Sequence, residues 1–195
     1  NFGIRKTVLE YDDVMNQQRN LIYEQRRKVL DGSDLHATYR RMIRDVSEEL
    51  IRGFCQDGVP SADWDARALG ASLRDLFGEL PVIQTLAAAF RQGISVEETI
   101  EKAAEDALAR YEARERDLGA ELMREAERLV MLRVVDEKWM DHIDAMDQLR
   151  RGIGMRAYGQ RDPVVEYKFE GYEMFEEMIR NIQQDAVKML LRLRV

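Results

Sequence analysis

Two clusters of carboxylates come nearest to the residue types and spacing that catalysis requires. Near the start, Asp12, Asp13 and Asn16 have the form of a helical, magnesium-binding acidic motif. A diphosphate site of that kind needs a second metal-binding cluster facing it, and the sequence offers none, so a solvated or capping role is the better reading. Farther along, Glu137, Asp141 and Asp144 fall on one helical face, while His142 points elsewhere on the wheel. Three carboxylates at that spacing, without a converging imidazole, make a charged surface rather than a ligand set. The sequence contains no HExxH, no paired CxxC, no nucleophile elbow and no GxxxxGKS/T phosphate loop. By itself the chain is expected to perform no reaction, bind no cofactor and hold no metal.

A different chemistry is concentrated between residues 150 and 168, where Arg150, Arg151, Arg156, Arg161 and Lys168 gather in an otherwise acidic chain. Cations favour a helix C-terminus, which accounts for Arg150 and Arg151 but not for Arg156 or Arg161. A basic loop there suits an acidic protein surface or anionic lipid headgroups. Tyr158 sits in the same glycine-punctuated stretch, and an aromatic with little local core to join is a candidate partner contact. Trp139 is the opposite case, because it falls on an apolar stripe and reads as a core anchor.

These residues need a scaffold, and the periodicity supplies one. Leu122, Ala126, Leu129, Leu132, Val135, Trp139, Ile143, Met146 and Leu149 recur at spacings of three and four, one face of an α-helix. After a loop at 151–162 containing Gly152, Gly154 and Gly159, the stripe resumes as Tyr172, Phe175, Ile179, Ile182, Ala186, Leu190 and Leu193. Asp162 and Pro163 supply an N-cap and a first-turn proline for this second arm. Two such stripes bury each other as an antiparallel helical hairpin, about 120–150 and 163–195, with arms on the order of 45 to 50 Å long.

Upstream, Val8, Tyr11, Met15, Ile22 and Val29 predict one long amphipathic helix from about 5 to 30, broken at Asp31-Gly32-Ser33-Asp34. Leu35, Tyr39, Met42, Val46, Leu50 and Phe54 continue as a second helix. Asp57-Gly58-Val59-Pro60-Ser61 marks a boundary. Shorter helices are expected at about 63–77 and 81–92, and a capping box at Ser95 and Glu98 opens one that runs to about Asp117, before Gly119.

The composition agrees with an all-α fold: long helices, a small helical insert and a long antiparallel hairpin. The chain has 195 residues, 45% of them apolar, with three prolines. Its formal charge of −7 argues against a nucleic-acid partner, which needs a concentrated basic surface. A single cysteine, Cys55, forms no internal disulfide and reads as a small buried residue in a reducing compartment. No apolar run approaches a membrane span, and no signal peptide is expected ahead of Asn1. The absence of an initiator Met reads as a piece of a longer protein.

Three stretches, IRKTVLEYDDVMNQQR, VVDEKWMDHIDAMDQLRRGIGMRAYGQRDPVVEY and EGYEMFEEMIRNIQ, closely resemble the SecA family, the ATP-driven motor subunits of bacterial protein export. The resemblance implies a helical scaffold domain at 1–56 and 119–195, a helical wing domain at 57–118, and a two-helix finger at about 120–193. In the family, the finger loop enters the cytoplasmic mouth of the SecY channel and its tip aromatic contacts the translocating preprotein. The matching aromatic here is Tyr158. Met155, Arg156 and Arg161 are the accompanying contact residues, and Trp139, Ile143 and Met146 form the finger's core. A histidine common in the loop of relatives appears as Gly154.

The resemblance further implies that ATP and Mg belong to motor domains of the parent that this chain lacks, so ATP hydrolysis is expected of the parent and not of the fragment. Peripheral association with the cytoplasmic face of the inner membrane is implied as well. A homodimer through an uncovered apolar face is a further expected partner mode. The rival reading from the residues alone is a free-standing helical adaptor unconnected with export.

Overall fold

The computed structural model describes residues 2–156 and 162–194. Among the described residues the chain is all-α, as the composition predicts, with seven α-helices, one short 3-10 turn and no strand. The elements run α1 (Phe2–Leu30), α2 (Leu35–Phe54), a 3-10 turn (Ser61–Asp63), α3 (Ala66–Phe77), α4 (Pro81–Arg91), α5 (Val96–Leu118), α6 (Ala120–Arg156) and α7 (Pro163–Arg192). None of these helices is long and apolar enough to cross a membrane.

Local chemistry explains most of the boundaries. Asp34 caps α2 by accepting from the Ala37 amide at 3.1 Å, and Asp65 caps α3 through the Ala68 amide at 3.0 Å. Ser95 accepts from the Glu98 amide at 3.1 Å while its hydroxyl donates to Glu98 Oε1 at 3.4 Å, so the S-x-x-E pattern is used as a cap. Asp162 accepts from the Val164 amide at 3.0 Å ahead of the proline that opens α7. Between α5 and α6 the chain turns at Gly119, whose φ of +86° is a left-handed conformation that side chains disfavour. α4 has no capping side chain of its own, and Asp106 of α5 accepts from its Val82 amide at 2.7 Å instead.

The chain divides by its contacts into two units, Asn1–Ser33 with Met131–Ile182, and Asp34–Val130 with Gln183–Val195. The second unit packs α2 against α5 and α3 against α4. Its buried side chains include Tyr39, Ile43, Ile51, Leu69, Leu73, Phe77, Leu86 and Tyr111, and Cys55 lies among them. Burial pushes the Cys55 thiol up to about 11, so at neutral pH it is a small apolar residue and a poor nucleophile.

A polar network is sealed into the second unit around Glu127, which has no exposed surface. Its carboxylate accepts from the Tyr111 hydroxyl and from Arg124 Nη2 at 3.0 Å. Its backbone carbonyl accepts from Tyr39 at 3.0 Å. With the Tyr111 proton committed to Glu127, His36 Nδ1 is the donor in its 2.9 Å bond to the Tyr111 oxygen. Burial raises the pKa of Glu127, and the Tyr111 and Arg124 donors oppose that rise.

In the first unit, α1 lies along both arms of the hairpin. Contacts pair Tyr11 with Tyr167, Gln18 with Gly171 and His142, and Arg26 with Asp136. Residue numbers therefore rise together along α1 and α7 and fall along α6. The buried side of α6 here is Val135, Trp139, His142, Met146, Leu149 and Ile153, spaced by threes and fours.

Three expectations from the sequence are corrected. Ile143, assigned to the finger's core, is 36% exposed, whereas Trp139 and Met146 are 6% and 1% exposed. Leu122, Leu129 and Tyr172 of the predicted stripes are likewise exposed. Runs such as Leu129 to Val135 carry apolar residues on adjacent faces, so periodicity alone admits two registers, and burial selects the one through Met123, Val130 and Val134. Finally, α6 does not stop near residue 150 but runs through Gly152 and Gly154 to Arg156. Each glycine costs about 1 kcal/mol within a helix, but Ile153 is fully buried against Tyr11, Val164 and Tyr167. Burial of such a side chain contributes about 2 to 3 kcal/mol, which holds the last turns helical.

Trp139→Ala is expected to lower unfolding free energy by roughly 3 to 5 kcal/mol, and Ile143→Ala by less than half as much, because Ile143 already meets solvent. Urea titration of both variants checks this. Equal losses would mean that the two residues share one degree of burial.

Candidate functional site

Two of the residues singled out for partner contact, Met155 and Arg156, stand at the end of α6. Met155 stands on the last turn of α6 and is 82% exposed, while Arg156 is that helix's final residue. Tyr158 and Arg161 lie outside the described residues. Of the remaining cations, Arg151 pairs with Asp147 on its own helix at 2.9 Å. Arg150 turns back onto α1, where Nη1 donates to Asp12 Oδ1 at 3.3 Å and the guanidinium lies 4.8 Å from the Tyr11 ring centre. Part of the positive charge is thus balanced locally, and Lys168 is exposed on α7.

Behind this end, one polar connection joins all three helices of the unit. Gln18 is 7% exposed, and its Nε2 donates to the Gly171 carbonyl on α7 at 3.1 Å. Its Oε1 then faces His142 Nε2 on α6 at 2.6 Å, so the imidazole carries its proton on Nε2. Gly171 lies close against Met146: an added Cβ would stand 2.6 Å from its Cε and 3.2 Å from its sulfur, so a side chain here would displace the end of Met146. The ring of His142 is flanked by Trp139 (5.6 Å) and Phe175 (5.7 Å). Neither Gln18 nor Gly171 stands out in the sequence, since a glutamine in a helix rich in glutamine and arginine reads as surface.

The carboxylates first considered for metal chemistry are dispersed. Glu137 accepts from Arg133 at 3.1 Å, Asp12 pairs with Arg150, and His142 faces Gln18 rather than its acidic neighbours. Among the described residues no three His, Cys, Asp or Glu side chains gather closely enough to hold a metal ion. An open groove instead runs between α1 and α7, with Val14 and Leu21 on one wall and Tyr172, Phe175 and Ile179 on the other. Tyr172, predicted to be core, stands at its rim and donates to Glu176 Oε1 at 2.6 Å.

Burial pushes the His142 pKa down from 6.5 to about 4. An imidazole that is harder to protonate when folded stabilises the folded state above pH 6.5. That stability is lost as pH falls towards 4, because the unfolded chain takes up the proton first. The loss is on the order of 3 kcal/mol across that window. His142→Gln, which keeps a donor for Gln18, is expected to remove this slope from a series of urea titrations between pH 7 and 4. An unchanged slope would place the acid sensitivity elsewhere.

Residues 1–194 match the protein family described as the SecA Wing and Scaffold domain. The protein translocase subunit SecA of Pelotomaculum thermopropionicum is 54% identical over all of this chain. The corresponding subunit of Carboxydothermus hydrogenoformans is 53% identical, again over the whole chain. That of Desulforudis audaxviator is 49% identical. The chain spans about 22% of the length of each of these relatives. A hairpin braced along both arms by one long helix, together with a match that runs from end to end, means that the chain belongs to the SecA wing and scaffold domain family.

Proposed function

We propose that this chain is the scaffold, wing and finger region of an ATP-driven protein translocase, coupling motion in motor domains outside it to the movement of a polypeptide. On this reading residues 1–56 and 119–195 are the helical scaffold and 57–118 the wing. The hairpin of α6 and α7 is the two-helix finger. ATP and its magnesium ion are bound by the parent's motor domains, not by this chain. The working partners are those motor domains in cis, a SecY-type channel and the translocating preprotein, with anionic lipid headgroups near the basic tip. The site of action is the cytoplasmic face of the membrane, reached peripherally.

The observation that carries this reading is the brace on the hairpin. A two-helix hairpin alone has one interface and bends easily. Here α1 adds a second, through Tyr11, Gln18, Ile22 and Arg26, to helices that end in Met155 and Arg156. A lever stiffened in this way can transmit displacement to its end, where Tyr158 is the contact residue and Arg156 and Arg161 seat the loop.

The test is site-specific photo-crosslinking from position 158 of the full-length protein during ATP-driven transport of a stalled secretory polypeptide. Crosslinks to both the channel and the moving chain are expected. If transport proceeds and a control probe on the wing reacts, but position 158 reaches neither partner, the hairpin is a structural brace and the contact assignment is wrong.

A further inference from the structure

Tyr11 and Gln18 stand two turns apart on the same face of α1, and each touches both arms of the hairpin. The two contacts differ in chemistry and in place. Gln18 is a buried amide with directional hydrogen bonds, which tolerates little sliding. Tyr11 meets the Tyr167 ring edge-on, at 4.9 Å and 72°, and takes the Arg150 guanidinium against its own ring at 4.8 Å. Asp12, the next residue on α1, holds the same guanidinium at 3.3 Å. Half of this second contact opens to water, since the Arg150 and Asp12 side chains are 36% and 51% exposed.

Its place along the hairpin is what gives it leverage. Arg150 lies six residues before the end of α6 and Tyr167 four residues after the start of α7, so both are on the order of 10 Å from the loop at helical rise. Arg151, its neighbour, bonds within α6 and makes no such link. Gln18 and the Arg26–Asp136 pair hold the hairpin farther from its end, so the Tyr11 contact alone among these three acts on the final turns. A face-on guanidinium and an edge-on ring keep attraction over a range of lateral positions, unlike the bonds of Gln18.

We propose that Tyr11, Arg150 and Tyr167, with Asp12, form a positioning joint through which the long first helix sets the orientation of the hairpin's end toward its polypeptide. This rests on the reading of the hairpin as the polypeptide-contacting finger. The four residues position; they do not touch the transported chain.

The experiment compares Tyr11→Leu, Arg150→Gln, Tyr11→Phe and Tyr158→Ala in the full-length protein, with channel-containing membrane vesicles. Polypeptide transported per ATP hydrolysed is the principal readout, together with the crosslinking yield from position 158. Tyr11→Leu and Arg150→Gln are expected to lower transport per ATP about fivefold and to reduce the crosslink, with ATP turnover away from membranes at the wild-type level. Tyr11→Phe, which keeps the ring's face and edge, is expected to restore both. Arg150→Gln changes a solvent-lined residue, so it decides the matter if Tyr11→Leu fails to fold. Wild-type transport per ATP in Arg150→Gln, alongside loss of transport in Tyr158→Ala, overturns the joint and leaves the finger reading standing. Wild-type transport in Tyr158→Ala overturns the finger reading, and the joint with it.

Discussion

A glutamine amide enclosed by three helices cannot be left without partners, and the first unit of this protein is arranged around that requirement. Gln18 has one donor committed to the Gly171 carbonyl and its acceptor facing His142. An unpaired polar group in such a place would cost about 1 to 3 kcal/mol, so the amide rejects registers that an apolar residue would accept. The consequences spread outward. The imidazole must carry a proton on Nε2, a Cβ at position 171 would require the end of Met146 to move, and α1 must run along α7 and against α6. Apolar residues around it, from Tyr11 to Ile22 on α1, supply most of the burial but little of the register.

The second unit uses the same device with charge. Glu127 is fully enclosed; Tyr111 and Arg124 both donate to its Oε1 and Tyr39 to its backbone carbonyl, while Oε2 is buried without a hydrogen-bond partner. Arg124 also donates to Glu115 of α5 at 2.7 Å, across the turn at Gly119. The turn between α5 and α6 is therefore spanned by a charged side chain on either side of a single left-handed residue. In both units buried polarity specifies alignment between helices whose apolar faces alone would permit sliding.

For the proposed role, stiffness and placement matter more than reactive groups. Nothing in the described residues resembles a catalytic constellation, and the displaced acid–base behaviour of His142 and Cys55 is caused by burial. A transmission element needs helices that resist bending and an end shaped for contact. Continuation of α6 through two glycines to Arg156 extends the braced length toward that end, because Ile153 is drawn into the apolar cluster shared with Tyr11 and Tyr167.

By itself the sequence determined the all-α class, the breaks near Asp34, Ser95, Gly119 and Asp162, and the family. These rest on local signals: propensity, capping side chains within three residues of the amides they satisfy, and contiguous motifs. Trp139 and Met146 were legible as core for a similar reason, since both registers of the α6 stripe include them. Ile143, Leu129 and Tyr172 were misplaced because the choice between adjacent apolar faces depends on which neighbour arrives, and that neighbour is distant in sequence. Of the proposed contact residues, Met155 and Arg156 stand on the last turn of α6, while Tyr158 and Arg161 lie outside the described residues. Only the tertiary structure decided that Gln18 is buried, that Arg150 folds back onto Tyr11, and that α6 persists past Gly152. Each of those outcomes is set by partners more than a hundred residues away or by burial energy, which a helical period does not encode.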